Sequence, residues 1–529
     1  MVCSYPSSAF TTRIAQIFIV IFFAGIQAAC TTAPSVESSN KPSSDVAIIL
    51  PPASFEAPAA PREFRAAWVA TVSNIDWPSR QDLSSQKQQA EVIAILDRAA
   101  ELKLNAIILQ VRPSADALYP STLDPWSEFL TGQQNKAPDP WYDPLQFWVE
   151  QAHLRGLELH AWFNPYRAKT ALAKSGLSSK HISQTHPGVV KQYGDLLWID
   201  PSEPMAAKHT VDVITDVVRR YDVDGIHIDD YFYPYPIKNE AGRELEFPDD
   251  ANWMSYQKKG GTLSRPDWRR HHINSLVETI YQQVHKEKAW IKFGISPFGI
   301  GRPDRLPTGI AGFSQYDKLY ADVELWLANG WLDYLAPQLY WPIDQPAQAF
   351  KVLHHYWLDQ NPKGRHIWPG LYTSRVDNSE KSWPVEEILN QVSATREKPN
   401  SGHIHFSMAA LMQNRKELSQ RLKTESYQTA ALVPDSAWLA RKKLAAPEIS
   451  IPDIQKDQRF VELKNVAPEN SRLLAIWKRY GQQWVFSVQP ISQSKISLAD
   501  DVHLGSLKQV VISIIDRTGQ ESARTSFTP

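Results

Sequence analysis

The stretch 204–234, PMAAKHTVDVITDVVRRYDVDGIHIDDYFYP, reads as an amphipathic helix over 204–221 running into a strand over 225–231. Side chains alternate along a strand, so Ile226 and Ile228 share one face and His227, Asp229 and Tyr231 share the other. The aliphatic face suits packing under a helix, and the polar face needs somewhere else to go. A strand with these two faces, fed by a helix, is one unit of an α/β barrel: apolar outward, functional inward at the strand's C-terminal end.

Outward from this unit the pattern repeats. Short apolar runs predict strands over 66–73, 106–112, 157–166, 225–231, 292–298, 334–341, 367–374 and 403–409. Amphipathic stretches between and after them predict helices over 86–103, 144–155, 204–221, 268–286, 322–329, 345–358, 385–396 and 414–422. Stop signals fit, as in HLRGLELH, where Gly156 can take the left-handed position that closes a helix. Eight βα units in one run favour a (β/α)8 TIM barrel over an open doubly wound sheet, and no GxGxxG follows the first strand. The barrel is expected over 62–440. Beyond it, RFVELKNV, RLLAIWKRY, QWVFSVQP and QVVISIIDRTG alternate with short spacing, which predicts a fibronectin III/Ig-like β-sandwich over 447–529.

A barrel carries its chemistry at the C-terminal ends of its strands. Strand one offers Asn74, Asp76 and Trp77; strand two Arg112, Asp116 and Tyr119; strand three His160, Trp162, Asn164, Tyr166 and Arg167. Strand four offers His227, Asp229, Asp230 and Tyr231; strand six Gln338, Tyr340 and Trp341; strand seven Tyr372 and Arg375. Two adjacent carboxylates ending an apolar strand are costly to desolvate unless something uses them. Asp229 is therefore the leading catalytic candidate, with Asp230 beside it as a coupled partner. The alternative is that one of the two holds the loop through main-chain hydrogen bonds. Glycoside hydrolysis commonly uses two carboxyl groups, and the second is not obvious. Asp116 is one candidate; Asp76, Asp322 and Glu324 are others, with Glu324 expected to face solvent on a helix. The remaining rim groups are expected to bind substrate: Asp76, Trp77, Arg112, His160, Asn164, Tyr166, Arg167, His227, Tyr231, Gln338, Tyr340, Trp341 and Tyr372. His160 and His227 beside Asp229 could ligate a metal, but strand one has no HxH and the chain no HExxH, so neither metal nor other cofactor is expected.

Composition narrows the classes. Hydrophobic residues make up 43% of the 529 residues and the formal net charge is -1, which suits a packed core and gives no basic surplus for nucleic acid. The 19 Trp, 19 Tyr and 19 Phe suit a cleft for sugar rings, although a large barrel also needs bulky residues between sheet and helices. The only cysteines are Cys3 and Cys30, so the body has no disulfide, thiolate metal site or Cys nucleophile.

Arg13 precedes the apolar run 14–26, and small residues lead to Cys30, a pattern that resembles a bacterial lipoprotein signal peptide with Cys30 as the lipidated residue. Gln27 departs from it, where an aliphatic residue is preferred. Thr31, not Asp, follows the cysteine, which points to the periplasmic face of the outer membrane. Residues 31–61 are rich in Ser, Pro and Ala and read as a flexible tether.

Five long motifs in order resemble one family, the glycosyl hydrolase-like 10 family: EFRAAWVATVSNIDWP (63–78), DPWS (124–127), HAWFNPYR (160–167), DGIHIDDYFYP (224–234) and DYLAPQLYW (333–341). The resemblance spans 63–422; Ala66 stands where the family often has Gly. It implies a (β/α)8 glycosidase acting on bacterial polysaccharide. With the lipoprotein leader, it implies more narrowly an enzyme like the divisome-localised outer-membrane members, cleaving peptidoglycan glycan strands denuded of stem peptides. Membrane attachment through Cys30 and contact with divisome proteins belong to that expectation. A non-catalytic glycan-binding barrel and a hydrolase of another bacterial exopolysaccharide are the competing readings.

Overall fold

Eight strand positions carry the parallel sheet: β1 (Phe64–Val69), β2 (Ala106–Arg112), β3 (Glu158–Phe163), β4 (Gly225–Ile228), β5 (Lys292–Ile295), β6 (Tyr334–Leu335), β7 (His366–Ile367 and Gly370–Leu371) and β8 (Gly402–His405). The seventh is interrupted at Trp368–Pro369. Its first segment pairs with β6 and its second with β8, while β1 pairs with both β2 and β8. The two ends of the sheet are thus consecutive segments of one strand, and the sheet closes into a barrel. The interruption is bridged by the Trp368 amide on Leu335 O (2.8 Å) and by Pro369 O accepting from the Ile404 amide (3.0 Å). This computed structural model describes residues 56–450, 460–464 and 470–529. The leader 1–30 with Cys30, and residues 31–55 of the expected tether, lie outside the described residues. Residues Glu56–Pro529 form one compact unit.

The outward positions, among them Val69, Ile107, Leu109, Leu159, Ala161, Ile226, Ile228, Phe293 and Ile295, are buried under the helices. These are α1 (Ser85–Glu101), α2 (Pro144–Leu154), α3 (Pro204–Arg220), α4 (Arg265–Glu287), α5 (Val323–Asn329), α6 (Phe350–Asp359) and α7 (Val385–Thr395). Local chemistry sets their ends. Ser84, Asp143 and Ser264 cap α1, α2 and α4 by accepting from the amides of Lys87, Gln146 and Asp267, and Gly156 takes φ 72° just beyond α2.

Three differences from the sequence reading stand out. Except for β2, which ends at Arg112 as expected, the paired strands stop three to six residues short of their expected ends, so most rim residues sit on loops rather than on strands. The helix expected over 414–422 is broken into short pieces, Met408–Met412, Leu418–Arg421 and the π-turn Leu422–Ser426, with Asn414, Lys416 and Glu417 at positive φ between them. An antiparallel sheet of Arg167–Lys169, Val190–Tyr193 and Leu196–Ile199 is inserted after β3.

The C-terminal segment folds as two antiparallel sheets. One holds Ile449–Ser450, Phe460–Leu463 and Lys495–Ser497; the other holds Gln483–Pro490, Ser471–Tyr480, Leu507–Asp516 and Thr525–Phe527 in that spatial order. Val461 and Ile496 of the first face Leu474, Ile476, Val510, Ile512 and Ile514 of the second, an aliphatic sandwich core. This module and the segment leading to it close the N-terminal end of the barrel. Arg517 pairs with Asp222 (2.6 Å) and Asp224 (3.1 Å), Trp438 Nε1 donates to Asp333 Oδ1 (2.7 Å), and His366 meets Ser436 (3.2 Å). Burial alone would raise the Asp224 carboxyl, but Arg472, His153 and Arg517 outweigh it and hold it well below the usual carboxylate range. With its floor sealed by charge pairs, the barrel leaves the opposite, C-terminal end of its strands for a site.

Candidate active site

The inward positions carry polar groups stacked along the barrel axis. At the floor Lys292 Nζ donates to Glu158 Oε1 (2.9 Å) and to Arg517 O (2.9 Å). Above them Glu158 Oε2 meets His160 Nε2 (3.0 Å), His160 Nδ1 meets Tyr334 OH (2.8 Å), and Tyr334 OH meets His227 Nδ1 (3.0 Å). His227 Nε2 then meets Ser296 Oγ (2.9 Å) and the Trp68 indole N–H (3.3 Å). The proton positions follow from donor chemistry. An indole N–H can only donate, so His227 Nε2 accepts and His227 Nδ1 carries the proton. Tyr334 oxygen accepts that proton's hydrogen bond and passes its own hydrogen to His160 Nδ1, and His160 Nε2–H donates to the Glu158 carboxylate. Both histidines have both ring nitrogens engaged, so neither presents a lone pair to the mouth. Burial, with His160 adding to it, holds His227 well below the usual imidazole range and keeps it neutral. Glycines make room for this column: a Cβ on Gly225 would lie 2.4 Å from His160 Nδ1, and one on Gly294 1.9 Å from the Tyr334 ring.

The column ends under Asp229. Its Oδ2 accepts from Trp162 Nε1 (2.9 Å) and Asn164 Nδ2 (3.2 Å), and Asn164 is itself held by the Arg167 amide on its Oδ1 (2.9 Å). Asp229 Oδ1 is buried and unpartnered. Arg167 lies over the Tyr231 ring at 4.6 Å and donates from Nε to Pro113 O (3.0 Å), leaving a buried, unpartnered Nη2. Asp230 accepts from Tyr235 OH (2.5 Å) and is reached by Gln338, whose Nε2 also donates to Ser296 O (2.9 Å). Burial pushes the Asp229 carboxyl up to about 7, with Asp230 adding to the rise and Arg167 opposing it. Burial likewise pushes Asp230 up to about 6 against its bonds to Tyr235 and Gln338. Two carboxyl groups that titrate near neutrality can each give or take a proton at working pH. Around them stands an aromatic wall: Tyr340 beside Tyr372 (5.0 Å) and Phe406 (5.6 Å), Tyr235 stacked on Phe313 (5.1 Å), and Phe298 against Trp341 (5.6 Å).

The structure therefore gathers Asp229, Asp230, Asn164, Arg167, Tyr231, Gln338, Tyr340 and Tyr372, with Trp341 at the wall's edge. Other expected site residues lie elsewhere. His160 and His227 are inside the column, below the mouth. Arg112 is fully buried, its guanidinium committed to Asp124 (2.7 Å) and to the carbonyls of Asn164 and Pro165. Trp77 packs edge-on against Trp148 in the outer core and donates to Gln88 O, and Tyr166 is buried in the same layer. Asp116 accepts from the Ser114 amide (2.8 Å) and from Ser127, and burial raises it to about 6. Asp76 ties the end of β1 to the segment after β8, through the Ala70 amide, the Ser407 hydroxyl and the Ala409 amide; burial raises it to about 6 as well. Asp322 caps α5. Glu324, expected at the surface, is only 2% exposed and accepts from Tyr356 OH and the Arg302 amide. Residues that the sequence reading passed over are Trp68, Ser296 and Tyr334, which join His160 and His227 in the column, and Tyr235, Phe298, Phe313 and Phe406, which complete the wall. The first three share the inward parity of their strands, a signal that was there to read. Tyr235 and Phe313 come from loops and carry no periodic signal.

The chain is similar in sequence to proteins of one family. The profile of the family described as glycosyl hydrolase-like 10 matches residues 63–385. Glycosyl hydrolase YngK of Bacillus subtilis (strain 168) is 40% identical over 438 residues, covering 80% of this chain and 84% of that protein. Glycosyl hydrolase DigH of Escherichia coli (strain K12) is 34% identical over 392 residues, covering 68% of this chain and 87% of that protein. Among solved structures, the PgaB (BpsB) glycoside hydrolase domain from Bordetella bronchiseptica aligns with a TM-score of 0.43 and 12% identity over 68% of this chain and 98% of that one, too remote to add to the strand order itself. With its profile matched over more than half its length and two relatives aligned over most of theirs, the chain belongs to the glycosyl hydrolase-like 10 family.

Proposed function

We propose that this protein is a glycoside hydrolase that cleaves the glycan strands of peptidoglycan, preferentially strands denuded of stem peptides, in cell-wall remodelling and daughter-cell separation. The observation that carries hydrolysis is the buried pair Asp229 and Asp230 at the end of β4, both raised toward neutrality and set against an aromatic wall. What supports peptidoglycan is the resemblance of the five long motifs, together with the leader ending at Cys30. Lipid attachment at Cys30 would hold the enzyme at the periplasmic face of the outer membrane, where a tether of about 30 residues reaches a nearby polymer. Divisome proteins are the partners this placement implies.

The test is product analysis after incubating residues 61–529 with sacculi, one sample intact and one stripped of stem peptides by an amidase. Soluble glycans released from stripped sacculi only, and lost on Asp229→Asn, are the expected result. Release from neither, with the protein still bound to glycan, would sink the hydrolase reading in favour of a binding barrel. Turnover of an unrelated exopolysaccharide instead would move the substrate.

A further inference from the structure

The two flanks of the mouth differ in charge. Residues 164–194, the loop and inserted sheet after β3, hold Arg167, Lys169, Lys174, Lys180 and Lys191 and no acid. Residues 235–250, after β4, hold five acids against Lys238 and Arg243. Charges of one sign gathered beside a cleft concentrate a ligand of the opposite sign there. A polyanion is therefore drawn to the β3 flank and turned away from the loop after β4.

The β3 flank is a built edge, because a second loop is fastened to it. The Gln134 amide donates to Ser175 Oγ (3.3 Å) and the Ser178 amide to Gln134 Oε1 (2.6 Å), which joins the loop after β2 to the insert. Across residues 128–138 and 164–194 the only acid is Glu128. It is 5% exposed, and its Oε2 is taken by the amides of Lys174 (3.0 Å) and Ser175 (2.8 Å). The loop contributes Lys136, and Lys136, Lys174 and Lys180 are all exposed. Lys191 is paired with Asp200 (3.9 Å), whereas no ion pair holds these three among the described residues. Exposed Gln133, Asn135 and Ser179 add neutral donors and acceptors suited to hydroxyls. The insert also abuts the acid pair. Its first residue, Asn164, holds Asp229 (3.2 Å), and Trp198 of its last strand donates to Phe232 O (2.9 Å) with its ring 6.1 Å from Tyr231.

We infer that this edge binds an anionic polysaccharide beside the bond being cut, and that the anion is a carboxylate carried on the sugars themselves. The inference rests on the hydrolase reading above and names its substrate more closely. In peptidoglycan that still bears its stems, the carboxyl next to the sugar ring is tied up in an amide, and the stem's own charges lie out along a flexible peptide. The reaction that must come first is hydrolysis of that amide. Water adds across the bond, the stem leaves with the amine, and the glycan keeps a carboxylate at the ring. The lysines then tell a stripped glycan from a stemmed one. They hold the polymer and take no part in breaking its bonds.

The test uses the full chain in a pelleting assay, with release of soluble glycan measured alongside. Its polymers are stripped sacculi, stripped sacculi whose carboxyl groups are converted to methylamides, and polygalacturonate. The variant carries Lys136→Glu, Lys174→Glu and Lys180→Glu together, with circular dichroism as the check on its fold. We expect the variant to bind stripped sacculi about 10-fold more weakly than the parent, with kcat/KM for release falling about 10-fold through KM. Methylamide capping should weaken the parent by the same factor and leave the variant unchanged, and added salt should erase the difference. The capped polymer tests the parent alone, so the inference stays exposed however the variant folds. Equal binding by parent and variant, or a loss in the variant that is the same on capped polymer, overturns the inference and leaves the hydrolase reading standing where release persists. Lysine-dependent binding of stripped sacculi without release supports the inference and overturns hydrolysis of that polymer. Lysine-dependent capture of polygalacturonate, with none of sacculi, keeps the edge as a site for carboxylate-bearing sugars and overturns peptidoglycan as their source. Neither binding nor release with any polymer overturns both.

Discussion

The barrel axis and the core of the C-terminal sandwich are both sealed interiors, yet they are filled in opposite ways. The sandwich core is aliphatic: Val461, Leu474, Ile476, Ile496, Val510, Ile512 and Ile514 meet with no polar atom among their side chains. The axis is a column of Lys292, Glu158, His160, Tyr334, His227 and Ser296, in which the side chains satisfy one another. An aliphatic core tolerates some repacking, since dispersion and burial are non-directional. A hydrogen-bonded column does not, because each proton's place depends on the next. The sandwich core keeps that tolerance, while the axis gives it up to hold a defined floor beneath Asp229.

The comparison can be broken at four points. Gly294→Ala should have the largest effect, because its Cβ would meet the Tyr334 ring at 1.9 Å inside a closed barrel. We expect a loss of about 4–5 kcal/mol in denaturant unfolding, beyond ordinary overpacking; a loss under 1 kcal/mol would show that the column can shift. Asp229→Asn should stabilise the protein as pH rises. Burial holds this carboxyl near 7 against its ordinary 3.8, so between those values the folded chain binds more protons than the unfolded one. The stability from this group is complete below about pH 4 and is lost as pH climbs through 7. The variant escapes that loss. It should match the parent near pH 3 and exceed it at pH 8 by on the order of 3–4 kcal/mol, read from chemical denaturation at both pH values. The opposite ordering would mean that Asp229 is charged and well solvated in the fold. Ile512→Ala in the sandwich core should cost about 3 kcal/mol while kcat per folded molecule stays at the parent's value; a fall in kcat would mean that the module reaches the mouth. Tyr334→Phe removes the hydroxyl that joins His160 and His227 and should cost about 2 kcal/mol. Restored stability in a Tyr334→Phe, His160→Leu double variant would sharpen the assignment of that cost to a stranded polar group.

How much of this was legible beforehand follows the same division. Strand period and donor chemistry placed Ile226 and Ile228 outward and His227 and Asp229 inward, and all four are so placed. The strands of the C-terminal module were readable from their short apolar runs, although the second face of Ser471–Tyr480 and Leu507–Asp516 is buried as well, against Leu432. What was not legible sits beyond the last ladder bond of each strand, where direction is set by loop contacts rather than by alternation. Trp77 and Tyr166 looked like rim aromatics and belong to the outer core, because Trp148 and the insert after β3 supply apolar surroundings that no local pattern announces. Glu324 looked like a surface residue of a helix and is buried because Tyr356, 32 residues away, supplies its hydrogen bond. Tyr235 and Phe313 reach the site from loops whose course depends on packing between distant segments.

The route by which the chain enters the barrel sets a direction of pull. Arg524 donates to the carbonyls of Ala57 and Pro58, and Arg62 donates to Val433 O and Gly519 O, so the first described residues are clamped to the C-terminal module at the sealed end. Any load carried by the segment upstream of Glu56 therefore enters at the floor and is shared by β1 and the module, with the loops of the mouth outside its path. A pull applied at Glu56 would therefore be borne at the end of the barrel opposite Asp229, leaving the geometry around that residue unstretched.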